Sequence, residues 1–191
     1  ALDARNFFDT TIPAFRRHQA GGALGGAIKK DKTFFFTNYE TLHESKGLSY
    51  SVDSISAAAR NGTVCATSDK QGNCITTKQI TVAQSVKPYL DLFPVPNGVV
   101  AGNTGKFVSG PPRLGKEDYV IGKIDHSFSS STTLSGSYTY DDSHVNSPDS
   151  YNVRLVNAPT RRQNMVLNLQ HIFTPSLINT TRVGFSRTYG G

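Results

Sequence analysis

Polar and apolar residues alternate one for one through several stretches of this chain, the period of a β-strand with one wet and one greasy face. The segment from Asp118 to Asp141 shows it on both sides of a serine-rich turn. Past the turn, Leu134, Gly136, Tyr138 and Tyr140 fall on one face and Ser135, Ser137, Thr139 and Asp141 on the other. Before it, Val120, Gly122, Ile124 and Phe128 oppose Tyr119, Lys123, Asp125 and Ser127, with His126 as an exception on the greasy side. From Arg161 to Phe173 the alternation is clearest, Met165, Leu167, Leu169 and Phe173 against Asn164, Val166, Asn168 and Gln170. Thr174-Pro175-Ser176 then turns the chain, and Leu177, Val183, Phe185 and Tyr189 oppose Arg182, Ser186 and Thr188. The pattern predicts an all-β fold, an antiparallel meander of about six strands.

The remaining segments divide the chain. Residues 1–20 show no sustained period and read as a connecting segment. Residues 21–53 read as a first hairpin, with a glycine-rich strand GGALGGAI, a KKDK turn and a second strand opening on Phe34-Phe35-Phe36. Paired glycines in a strand mark close approach of neighbouring backbone. Residues 54–104 lose the pattern and form a long loop, in which Thr81 is expected to cap a short helix carrying Val82, Val86, Leu90 and Phe93 on one face, stopped by Pro94 and Pro96. Residues 105–191 hold further hairpins, interrupted by a polar loop over 140–159. Turns at one end of the hairpins (KKDK, SSST, TPS) are short while the connections 54–103 and 142–160 are long. Outer-membrane barrels have this asymmetry, with short periplasmic turns and long extracellular loops.

Composition narrows the choice. Among 191 residues the hydrophobic share is 37%, low for a compact soluble fold, while eleven Phe and eight Tyr suit strands. The net charge of +6 invites a nucleic-acid reading, but the basic residues are dispersed rather than clustered, so no nucleic-acid partner is expected. No apolar run reaches the ~20 residues of a spanning helix, which leaves membrane strands of ~9–11 residues open.

Little in the chain points to catalysis or metal binding. His18, His43, His126, His144 and His171 are scattered without metal-ligand spacing, and Gly21–Ile28 is followed by no Gly-Lys-Ser/Thr. Gly47-Leu48-Ser49-Tyr50-Ser51 lacks the closing glycine of a nucleophile elbow. The adjacent carboxylates of Asp141-Asp142 and Glu117-Asp118 point to opposite faces of a strand and cannot share a proton. The chain is expected to be no enzyme and to use no cofactor. Cys65 and Cys74 lack the company of further zinc ligands; a local disulfide in an oxidising compartment is the preferred reading, with free thiols as the alternative.

A family resemblance rests on GGALGGAIKKDKTFFFTNYETL, on ALDARNFFD, TIPAFRRHQ and PYLDLFPVPNG, on the hairpin DYVIGKIDHSFSSSTTLSGSYTYDD, and on QNMVLNLQHIFTPSLINTTRVGFSR. In this order the segments resemble successive parts of TonB-dependent outer-membrane receptors of the Oar-like type, which carry a carboxypeptidase-regulatory-like domain. Ala27 stands where that family usually has Pro, and His43 where Arg is common. The resemblance implies a 22-stranded plugged barrel of which this chain supplies a minority of strands, with ligand uptake energised by the TonB complex through parts outside these residues. It also implies a multi-pass barrel in the outer membrane of a Gram-negative-type cell, a lipid partner, and an unknown extracellular ligand. Leu134, Tyr138, Leu167, Leu169, Val183 and Phe185 are expected to face lipid, and the loop Ser54–Asn103 to contribute ligand or partner contacts. The rival readings are a soluble or surface all-β adhesion or carbohydrate-binding module, whose greasy faces would pack against each other, and a secreted β-rich enzyme.

Overall fold

A computed structural model describes residues 12–191. The connecting segment expected at residues 1–20 therefore lies mostly outside the described residues, as does the motif ALDARNFFD.

Two compact units divide the chain. One comprises Arg16–Ser45, Leu114–Asn146 and Asn157–Gly191, the other residues 12–15, 46–113 and 147–156. The first unit is a wall of six long strands: β1 (Phe15–Lys29), β2 (Thr33–Gly47), β8 (Pro112–Ser129), β9 (Thr132–Pro148), β10 (Leu155–Thr174) and β11 (Leu177–Gly190), hydrogen-bonded in the order β1-β2-β8-β9-β10-β11. Neighbours in space are thus neighbours along the chain, save for one insertion between β2 and β8. That insertion holds β3 (Tyr50–Ile55), α1 (Ala57–Arg60), β4 (Thr63–Ser68), β5 (Cys74–Gln79), α2 (Lys87–Leu92), β6 (Val100–Ala101) and β7 (Thr104–Ser109).

The strands outrun their expected limits. β1 begins at Phe15, six residues before the predicted hairpin. β9 runs on to Pro148 and β10 starts at Leu155, so the polar loop expected over 140–159 shrinks to 149–154. Alternation survives there with polar residues on both faces, which hides a strand from a hydrophobic pattern. Strands of 14 to 20 residues exceed the ~9–11 that cross a bilayer.

Register fixes the faces, because residues directly opposite on paired strands share a side. Ile124 pairs with Gly136, His126 with Leu134, and Gly122 with Tyr138; Met165 pairs with Phe185 and Leu167 with Val183. The other side carries Lys123 opposite Ser137, Asp125 opposite Ser135, Asn164 opposite Ser186 and Asn168 opposite Arg182. Among the described residues no hydrophobic side chain is buried. The wall is one layer thick, and among the described residues no hydrophobic side chain of its apolar face is buried.

The glycines of β1 act as their sequence suggested. A Cβ on Gly21 would lie 2.5 Å from the Tyr39 carbonyl oxygen, and one on Gly25 would lie 3.1 Å from that of Phe35. Only bare backbone lets β1 approach β2 so closely.

The insertion is folded rather than loose. β3, β7 and β6 make a three-stranded sheet and β4 with β5 a hairpin. Asp53 and Lys106 face each other across β3 and β7 with Nζ 3.0 Å from Oδ1. The expected helix occurs as α2, but its N-cap is Val86, with Pro88 in its first turn, and not Thr81. Proline is pre-set for the first helical turn, where its missing N–H costs nothing.

Candidate functional site

Two surfaces hold whatever the chain does: the faces of the wall and the folded insertion.

On the wall, Leu134, Tyr138, Leu167, Leu169, Val183 and Phe185 all fall on the apolar face, together with Phe35, Ile124 and Met165. This face changes character along the strands. At the turn end it carries two copies of one arrangement. The hydroxyl of Thr33, first residue of β2, hydrogen-bonds Nδ1 of His126 at 2.7 Å, and Thr132, first residue of β9, does the same with His171 at 2.8 Å. In each copy the next backbone N–H donates across the seam at 2.8 Å, Ser127 to the Lys32 carbonyl and Ile172 to the Ser131 carbonyl. In each the imidazole also meets a phenyl ring two residues on edge-to-face, at 4.5 Å for Phe128 and 4.4 Å for Phe173. His126, the exception in the sequence pattern, is therefore half of a seam latch.

Towards the other end the same face becomes tyrosine-rich and then charged. Tyr39 donates to Asp118 at 2.7 Å, and Lys116 lies 2.9 Å from the same carboxylate. Asp142 accepts from Arg161 at 2.9 Å and has His144 at 3.5 Å, while the Arg161 guanidinium sits 5.7 Å above the Tyr140 ring. Beside them Arg16, His18, His43, Glu44, Lys116 and His144 line one depression. Three histidines that looked scattered in sequence thus meet. At the same level the opposite face is mainly acidic: Arg17, Gln19, Glu40 and Glu117 line a second, smaller depression, with Glu44 3.8 Å from Arg17.

In the insertion the organising residue is Arg60, which no motif or periodicity of the sequence marks. It is 8% exposed. Its guanidinium donates to the carbonyls of Ile55 (3.0 Å), Leu90 (2.6 Å), Phe93 and Pro94 (2.7 Å) and to the Ser54 hydroxyl (3.1 Å). No carboxylate shares this site among the described residues; the charge is held by carbonyl dipoles, and one side chain ties β3, α1 and α2 together. Ser56 caps α1 by accepting from Ala59 N–H. Asn103 bonds both the N–H and the carbonyl of Cys65, standing in for a strand. Tyr151 donates to the Asp53 carbonyl at 2.7 Å and packs edge-on against Phe93, so the connection 149–154 joins this unit.

Cys65 and Cys74 form a disulfide across the β4–β5 hairpin. At its tip Asp69 accepts from the Asn73 side chain and from the backbone N–H groups of Asn73 and Gln71, which holds its carboxyl below the ordinary carboxylate range. Gly62, at φ +90°, enters this hairpin where a Cβ would strike the Ile80 carbonyl. The unit also presents Tyr89, Leu92 and Val99 to solvent, the last 82% exposed.

Among the described residues no group of three His, Cys, Asp or Glu is placed to hold a metal. Nor is any helix among the described residues long and apolar enough to cross a membrane, which says nothing of strands.

A family model described as "Outer membrane beta barrel domain" matches residues 1–191. No curated protein and no solved structure matches the chain.

Proposed function

Since this chain belongs to the outer membrane β-barrel domain family, we propose that it forms part of the wall and one external loop of a TonB-dependent receptor of the Oar-like type, which takes up an extracellular ligand and breaks no bonds. The observation that carries the membrane part of the reading is the uncovered apolar face. A single-layer sheet with Leu167, Leu169, Val183 and Phe185 all more than a third exposed has no core of its own. Lipid supplies the missing partner, whereas a soluble module would fold its greasy faces together.

In this reading the turns after β1, β8 and β10 face the periplasm, and the insertion between β2 and β8 faces outward. The polar face lines the lumen. The receptor assignment itself is supported by the ordered series of resembling sequence segments. The loop unit suits ligand capture because its shape is pre-set by Arg60 and the disulfide while Tyr89, Leu92 and Val99 remain open to contact; rigid presentation lowers the entropic cost of binding.

Two measurements test the two levels. Leu167→Arg in the full-length protein should cost about 2–4 kcal/mol near the bilayer midplane and sharply reduce the heat-modifiable, outer-membrane-assembled form. Unchanged assembly would overturn the lipid-facing assignment. For the receptor level, the full-length protein should be retained by the immobilised periplasmic domain of TonB; absence of retention, with assembly normal, would leave a barrel of another kind.

A further inference from the structure

Side chains close the strand edges of the insertion, with one exception. On β4 the Asn103 amide takes the outward N–H and carbonyl of Cys65. On β7 the Asn97 amide does the same for Val108, at 2.8 and 2.7 Å, and the Gly98 N–H donates to the Lys106 carbonyl at 2.8 Å. On β3 the carbonyls of Asp53 and Ile55 accept from the Tyr151 hydroxyl and from Arg60 Nε. An open row of main-chain donors and acceptors is a template for another strand, and these contacts remove it.

β5 has no such cover. It pairs with β4 alone, and all six of its residues are exposed. Cys65 lies opposite Thr77 and gives both its main-chain groups to Asn103, so this is a pair whose N–H and C=O point outward on both strands. The Ile80 N–H donates inward to the Gly62 carbonyl at 2.8 Å, which sets the same phase: Thr77 and Gln79 aim their N–H and C=O away from β4. Among the described residues nothing bonds them there. The hairpin itself is braced by the Cys65–Cys74 disulfide, by Thr67 and Thr76 with hydroxyls 2.5 Å apart, and by Gln79 donating to Thr63 at 2.7 Å. A rigid edge loses little entropy when a partner is added.

We propose that the outer edge of β5 binds an extended segment of a partner polypeptide by strand addition, with an acidic residue of that segment beside Lys78. The inference names the class of partner for the loop unit and rests on the reading that this unit faces outward. In-plane donors and acceptors that recur every second residue, about 6.8 Å apart, match an extended main chain. Lys78, between the two open residues, is exposed and in no ion pair among the described residues, which selects a carboxylate opposite it. A second copy of the chain fits badly. The antiparallel register that uses both open residues of each strand pairs Thr77 with Gln79 of the copy and sets Lys78 against Lys78, like charges directly opposite.

The test uses the full-length protein in detergent micelles and, in parallel, intact cells that display it. The probe is a fluorescent, end-capped peptide Thr-Val-Glu-Val-Thr, compared with its Lys-centred counterpart and with a form methylated on its main-chain nitrogens. The Glu peptide should bind saturably to protein and cells, and methylation should weaken it at least tenfold. Thr77→Pro deletes an outward N–H that serves no bond to β4, a place where a strand tolerates proline. It should weaken binding at least tenfold with assembly unchanged. Lys78→Glu should reverse the preference towards the Lys peptide, which damage to the fold would not do. No saturable binding up to about 1 mM, indifference to methylation, equal binding in assembled Thr77→Pro, or a protein dimer that Thr77→Pro abolishes would each overturn the proposal. Should Thr77→Pro fail to assemble, an unchanged preference in Lys78→Glu overturns it instead. Binding to the purified protein but not to intact cells removes the outward placement of the unit. Absence of binding with normal assembly and normal retention by TonB removes the edge site alone.

Discussion

Arg60 shows how one side chain can hold a fold that lacks an apolar centre. A buried guanidinium satisfied by four carbonyls and a hydroxyl is worth more than any single neutral hydrogen bond, because each charge-assisted bond contributes about 1.5–3 kcal/mol. Arg60→Ala strands the carbonyls of Leu90, Phe93 and Pro94 and removes the link between α1 and α2. Limited proteolysis of the assembled protein should then cut within residues 80–100, where the parent resists, while assembly of the barrel stays intact. Arg60→Lys should rescue little, since one ammonium cannot span the fork. Sequence alone did not expose this residue. A lone Arg in AAAR has no periodic partner, and three of the four carbonyls it serves come from residues 30 to 34 positions away. Cys65 and Cys74, by contrast, could be read as a pair because their partners are local.

At the scale of elements, alternation located the hairpins and their faces well wherever one face was greasy. It failed at the end of β9 and the start of β10, residues 142–148 and 155–159, where Asp142 and His144 replace apolar residues on the otherwise greasy face. It also failed inside the insertion, where Asn97 bonds both the N–H and the carbonyl of Val108, as Asn103 does for Cys65, and Arg60 gathers carbonyls, so polar side chains rather than burial set the short strands. The seam latch is an element-scale device that pairwise register does not reveal, since it joins consecutive hairpins rather than the strands of one. Thr33→Val should remove one net hydrogen bond to His126, about 1 kcal/mol, and leave the imidazole held by Phe128. A double-mutant cycle of Thr33→Val with His126→Phe, read by urea unfolding of the full-length protein from detergent micelles, should give a coupling energy of that order; additive effects would show that the latch stores nothing. After the third turn Leu177 occupies the position that Thr33 and Thr132 hold, so β11 offers no hydroxyl to the next strand's latch.

For the whole molecule, the described residues leave β1 and β11 as the wall's two edge strands and its apolar face exposed. Exposed edges and greasy sheet surface are the conditions for strand-to-strand association. The 191-residue segment expressed alone should form oligomers in buffer, detectable by light scattering, and be dispersed by detergent; a stable detergent-free monomer would contradict a membrane wall. The disulfide carries a different consequence, in the order of events. Cys65 and Cys74 are nine residues apart, and their hairpin closes through its own cross-strand pairs, without any of the six wall strands. Oxidation therefore needs no barrel, and it can be complete while the polypeptide is still in transit. The assembly machinery is then handed a covalently closed knob instead of a thread, and the passage it opens across the membrane must be wide enough to let that knob through.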